Sequence, residues 1–276
     1  MINMRFVRTL YLAVLFGAVA SPSARAGVIA DKALDEVIKK TLQDVKGELK
    51  EADLNNLYVL DASNRKISSL AGLEKAKNLL ELRLGKNEIV DVKPLKELVN
   101  LQSLDLADNK IEDLAALAPL VNLQYLNLTN NRIANAAPLA GLTKIQALYL
   151  SKNKIKDVKV VEKMAALASL YLDGNEIADL APLAKVTRIN VLDLRNNQVK
   201  DVTPVAKQTD LRMLLLDKNK VEDLAPLVTA AKADSDGDRR WAPYLRLYLK
   251  DNPLSEKTKK EQLPKLKEIG VRLEGV

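Results

Sequence analysis

The stretches NLQSLDLADNKIEDL, residues 100–114, and ALASLYLDGNEIADL, residues 166–180, decide the fold. They are the same phrase, and its Asn recurs every 22 residues at Asn87, Asn109, Asn131, Asn153, Asn175, Asn197 and Asn219. Asn252 follows 33 residues later, one period plus an 11-residue insertion. A fixed period of this length marks a repeat array, in which each unit buries its apolar face against its neighbours.

Within one unit, with n the Asn, positions n−8, n−5 and n−3 are apolar, as in Leu101, Leu104 and Leu106. The n−5, n−3 pair alternates with polar neighbours, which predicts a short strand. Beyond the Asn, apolar residues recur at intervals of three (Ile89, Val92, Leu95, Leu98), which predicts a tight, partly 3₁₀ return. Pro94, Pro138, Pro182, Pro204 and Pro226 stand at n+7, where a fixed φ suits the first turn of a helix. Stacked strand–turn–return units make an α/β solenoid with one parallel sheet of about nine strands, ~40 Å long at ~4.8 Å per strand. The Asn column, Asn252 included, is expected to be a structural ladder of amide bonds between turns. The Asp column at n+4, with Asn135 interrupting, is expected to cap the returns.

The pattern LxxLxLxxNxIxDVxPL resembles the 22-residue leucine-rich repeats of bacterial internalin-like proteins, over roughly residues 28–276. The resemblance implies a horseshoe with the sheet on its concave face. A divergent first unit, Leu57 to Leu73, carries Arg65 at the ladder position. The predicted domains are a helical N-terminal cap over 27–56, the array over 57–254, and a C-terminal cap over 255–276. In the first cap Leu34, Val37, Ile38, Leu42 and Val45 form one helical stripe. In the last, Ser255 is placed to cap a helix running to about Ile269, Gly270 ends it, and Val271-Arg272-Leu273 adds a final strand. Internalin-like proteins have a helical N-terminal cap of similar sequence.

Residues 1–26 read as a secretory signal peptide. Arg5 and Arg8 precede an apolar run of about a dozen residues, and Ala24-Arg25-Ala26 offers a cleavage site after Ala26. The expectation is a secreted or periplasmic, bacterial protein without stable membrane insertion or a wall-anchoring tail. Cleavage lowers the net charge from +7 to +4, because Arg5, Arg8 and Arg25 leave and no acid does. So small an excess argues against nucleic acid as a partner. With no Cys and no His, the thiol nucleophile and the commonest general base are missing, and no Gly-rich phosphate loop appears. No enzyme activity, cofactor or metal is expected.

Strand residues that avoid the core point to the concave face. Tyr125, Tyr149 and Tyr171 fall on three successive strands and are expected to form one patch, the candidate partner-binding site. Asp173, Asp193, Arg195 and Asp217 are expected to flank it as charged groups, with Leu215 and Tyr248 further along. An unidentified protein is the expected partner; a glycan such as peptidoglycan is the alternative, and a scaffold with no single ligand a third reading. The insertion, residues 233–243 (ADSDGDRRWAP), is expected to be a disordered, solvated loop. Its alternating Asp234, Asp236 and Asp238 match calcium loops poorly. Trp241 is expected to tuck against the C-terminal cap.

Overall fold

The computed structural model describes residues 27–43 and 45–275; the signal-peptide reading lies outside them. Helix α1 (Lys32–Leu42) opens the chain, followed by a 3₁₀ turn, Glu51–Asn56. Ten three-residue strands follow: β1 (Val59–Asp61), β2 (Glu81–Arg83), β3 (Ser103–Asp105), β4 (Tyr125–Asn127), β5 (Ala147–Tyr149), β6 (Ser169–Tyr171), β7 (Val191–Asp193), β8 (Met213–Leu215), β9 (Arg246–Tyr248) and β10 (Arg272–Glu274). They form one sheet in chain order, each strand parallel to the next. Short 3₁₀ returns such as Lys93–Glu97 and Ala137–Gly141 connect them, except that α2 (Ala225–Asp236) replaces the return after β8. Helix α3 (Leu263–Ile269) precedes β10.

One apolar core runs the length of the stack, from Ile29 to Val271. The Asn ladder repeats one set of bonds. Each side-chain oxygen accepts the n+2 N–H of the preceding unit at 3.0 Å, as Asn109 does from Ile89 and Asn153 from Ile133. Each Nδ2 donates to its own n−3 carbonyl and to the equivalent carbonyl one unit back; Asn153 bonds Leu150 and Leu128, both at 3.0 Å. Buried backbone groups at the turn are thereby satisfied without water. The n+4 carboxylates accept the N–H two residues on, as Asp91 does from Lys93 and Asp179 from Ala181, and Asn135 does the same from Ala137. The residue before each ladder Asn is left-handed, and only at Gly174 is it glycine; Lys86 and Lys152 hold φ of 58° and 54°.

Both ends are closed by specific contacts. Asp31 caps α1 through the N–H groups of Ala33 and Leu34, while its other oxygen accepts from Ser68 and Ser69 in the first unit. Burial draws the Asp31 carboxyl upward, but these four N–H groups outweigh it and hold the group below the usual carboxylate range. At Gly72 a Cβ would lie 1.9 Å from the Val28 carbonyl oxygen, so only glycine lets the start of the chain cross here. At the other end the Ser255 hydroxyl accepts the Thr258 N–H, and Gly270 ends α3 with φ of 110°. The expected single helix from Ser255 instead contains a π turn, Thr258–Gln262, immediately before Leu263-Pro264. Pro264 has no N–H to donate, and the wider turn accommodates the missing bond.

The insertion departs from expectation. It is an ordered segment: α2 extends through Asp236, and the Asp234 carboxylate then receives the N–H groups of Arg240, Trp241 and Ala242 at 2.9–3.0 Å. The Ala-rich stretch behind Pro226 sustains the helix, and the capped turn returns the chain to the array. Trp241 is buried, 22 residues after Asn219. Allowing for the 11 inserted residues, that is the n+11 core position filled elsewhere by Leu98, Leu120 and Leu142.

Candidate functional site

In-register parallel pairing turns sequence columns into surface rows. Asn127, Tyr149, Tyr171, Asp193, Leu215 and Tyr248 are successive partners, and Tyr125 lies in the neighbouring row beside Ala147. Strands about 4.8 Å apart bring the rings into contact. Tyr149 and Tyr171 stack with centroids 4.5 Å apart and planes at 5°. Tyr125 leans on Tyr149 at 5.3 Å and 46°. All three are half-buried. Burial raises the phenol pKa values of Tyr125 and Tyr149, helped by the Asp105 charge at the first and by Tyr171 at the second. The three expected tyrosines form one aromatic block.

The expected charged flank is altered. Asp193 is not open to a partner: its side chain is 3% exposed, and Arg195 covers it with two bonds, Nε to Oδ1 at 2.9 Å and Nη2 to Oδ2 at 2.6 Å. The bond to Asp193 in turn holds the Arg195 proton more tightly than usual. The pair cancels its own charge, and Asp193 cannot act with Asp173 as two free carboxylates. Asp173 accepts from the Asn196 side chain, and Asp217 from the Lys250 N–H. Beyond this pair Val191, Met213 and Leu215 present a half-exposed apolar strip, and Arg246 lies 5.7 Å over the ring of Tyr248.

A feature outside the expected set lies on the N-terminal side of the tyrosines. Glu81, Arg83, Ser103, Asp105 and Tyr125 line a depression of ≈ 540 Å³. Asp105 stands at n−4, a spacing that faces the concave side, but residue type alone does not advertise the depression left where the small Ser103 sits among Arg83 and Tyr125.

Among the described residues, no three or more His, Cys, Asp and Glu side chains converge as a metal site. Asp234 faces its own backbone, so Asp234, Asp236 and Asp238 do not gather around a cation. Nor is any helix among those residues long and apolar enough to cross a membrane.

The family model described as leucine rich repeats (2 copies) matches residues 77–119 and 121–163. Comparison with curated proteins gives no match. Among solved structures, internalin C2 of Listeria monocytogenes is 31% identical with a TM-score of 0.70, over 72% of this chain and 89% of that one. Internalin F of the same organism is 30% identical with a TM-score of 0.72, over 90% of this chain and 76% of that one. The chain belongs to the internalin-like leucine-rich repeat family. A leucine-rich repeat protein of Leptospira interrogans, 20% identical with a TM-score of 0.57 over 84% of this chain, shares the fold. Internalin-like repeat proteins are generally binding modules without catalysis.

Proposed function

We propose that this internalin-like protein is an exported, non-enzymatic module that binds a partner protein through its concave face, centred on Tyr125, Tyr149 and Tyr171. The observation that carries the reading is the aromatic block itself. Three rings are set side by side on an open sheet face, where strand formation requires no aromatic residue. Rigid tyrosines offer large contact area at small entropic cost, and they are enriched at binding hot spots. Leu215 and Tyr248 extend the apolar surface toward the C-terminal end. Asp173, Arg195 and Asp217 border it. The glycan alternative is weakened by the stacking. Tyr149 and Tyr171 cover each other, and Tyr125 covers part of the remaining face of Tyr149, so few ring faces are left for a sugar. Secretion or residence in the periplasm follows from the reading of residues 1–26 as a signal peptide.

The test is affinity capture from envelope and medium fractions with residues 27–276 as bait, wild type beside a Tyr149→Ala/Tyr171→Ala variant of verified fold. A protein retained by the wild type and lost by the variant supports the reading. Equal retention by both would refute the tyrosine site, and elution of glycan without protein would favour the alternative.

A further inference from the structure

We propose that the depression between Arg83 and Tyr125 receives a basic side chain of the partner protein, an arginine or lysine, with Asp105 as its counter-ion. The inference rests on the concave face being a protein-binding surface and adds the chemistry that the partner must present there.

The N-terminal end of the concave face carries more negative charge than it neutralises. Strands β1 to β3 present Asp61, Glu81 and Asp105 against one cation, Arg83. That guanidinium is paired elsewhere: its Nη2 lies 2.5 Å from Glu81 and its Nη1 3.8 Å from Asp61, and among the described residues it makes no ion pair with Asp105. The only hydrogen bond to the Asp105 side chain among the described residues is from the Ala107 N–H to Oδ1, at 2.9 Å. Burial, and repulsion by Asp108 and Asp61, raise the Asp105 pKa despite that bond and the neighbouring Arg83. Asp105 is thus a half-buried carboxylate without a cation to match it, which differs from Asp193 under its arginine.

The depression has the shape and lining for what is missing. Gly85 leaves the carboxylate uncovered on one side, and its absent Cβ would stand 3.6 Å from Oδ1 and 3.7 Å from Oδ2. Tyr125 walls the other side, and a cation seated on the carboxylate would lie against the ring, gaining a cation–π contact. The rest of the partner segment would continue over Tyr149 and Tyr171. At the far end the sign reverses, with Arg246, Lys250 and Arg272 against Asp217 and Glu274. A face charged oppositely at its two ends fixes the direction in which an elongated partner lies.

The probe is methylguanidinium, titrated into the protein while the Tyr125 ring signals and the Asp105 carboxyl carbon are followed by NMR. The proposal expects saturable shifts at Tyr125, a lower Asp105 pKa in the presence of the cation, and weaker binding at higher salt. Asp105→Asn should weaken binding by at least about tenfold, the scale of losing a charge-assisted bond. This variant should fold, because Asn127 occupies the same position one strand on and accepts the equivalent N–H, from Thr129 at 3.1 Å. Absence of saturable shifts, or shifts unchanged in Asp105→Asn, would overturn the proposal. The Tyr149→Ala/Tyr171→Ala variant should lose the captured protein yet still bind methylguanidinium, which separates failure of the aromatic site from failure of the cation site. A captured partner held equally by wild type and Asp105→Asn would show that no basic side chain of the partner is seated there.

Discussion

The Asn ladder and the concave rows are built on the same period, yet they obey opposite rules. Along the ladder, Asn87 through Asn219 repeat one residue, one degree of burial and one set of bonds. Along the concave row the neighbours are Arg, Asp, Asn, Tyr, Tyr, Asp and Leu. Where the fold dictates chemistry, the repeats agree. Where the fold leaves a side chain free, they diverge. Residues of similar apparent prominence therefore divide into those that hold the stack together and those that the stack displays.

Breaking the ladder should cost most. Asn153→Ala orphans the Ile133 N–H and removes the bonds to the Leu150 carbonyl of its own unit and the Leu128 carbonyl one unit back. We expect a loss of roughly 3 kcal/mol in urea unfolding, since a buried unsatisfied group alone costs about 1–3 kcal/mol.

At the N-terminal cap a single carboxylate does what the ladder does repeatedly. Asp31→Ala should cost about 2 kcal/mol, the upper range for an N-cap, and hydrogen exchange should quicken through α1. The pH dependence has a definite sign. The folded pKa of Asp31 is depressed, so its contribution is complete above the unfolded carboxylate pKa and is lost as pH falls through the lower folded value. Asp105 has a raised folded pKa and acts in the opposite sense, becoming less unfavourable as it takes up a proton. Acid titration of Asp31→Asn should therefore show a flattened stability loss, and that of Asp105→Asn a steeper one.

A smaller effect of opposite direction is expected at Gln208. It fills the n+11 core position where Leu98, Leu120 and Leu142 stand, and it is fully buried with an unpaired Oε1. Its Nε2 bonds the Leu183 carbonyl, which also accepts from the Val186 N–H and so stays satisfied without it. Gln208→Leu should stabilise the protein by about 1 kcal/mol, read as a higher urea midpoint. The smallest change is expected at Lys152, left-handed with φ of 54°. Replacement by Gly, the residue found at position 174, should shift stability upward by less than about 1 kcal/mol, because relief of the left-handed strain is partly offset by unfolded-state entropy.

Much of this was legible in the sequence because it is encoded by local spacing. The period placed the strands, the Asn ladder and the Asp caps, and in-register pairing then made Tyr149 and Tyr171 neighbours. What escaped depends on chain reversal or on the space left by small neighbours. Asp193 and Arg195 are two apart, at the end of β7 and just beyond it, but whether such a pair closes on itself or stays open is set by the packing around it. The insertion read as a loop from its Asp and Gly content, whereas Asp234 is a cap whose partners, Arg240 to Ala242, return only after the helix ends. The depression beside Asp105 depends on the room left around the small Ser103 by Glu81, Arg83 and Tyr125.

The most direct test of the division between holding and displaying is urea unfolding of Tyr149→Ala/Tyr171→Ala beside Asn153→Ala. The expected loss is about 1–2 kcal/mol for the two tyrosines, the value of aromatic stacking and strand preference, and clearly more for the single asparagine. A loss for the tyrosine variant equal to or above that for Asn153→Ala would contradict that division, and would make the aromatic block part of what holds the array together.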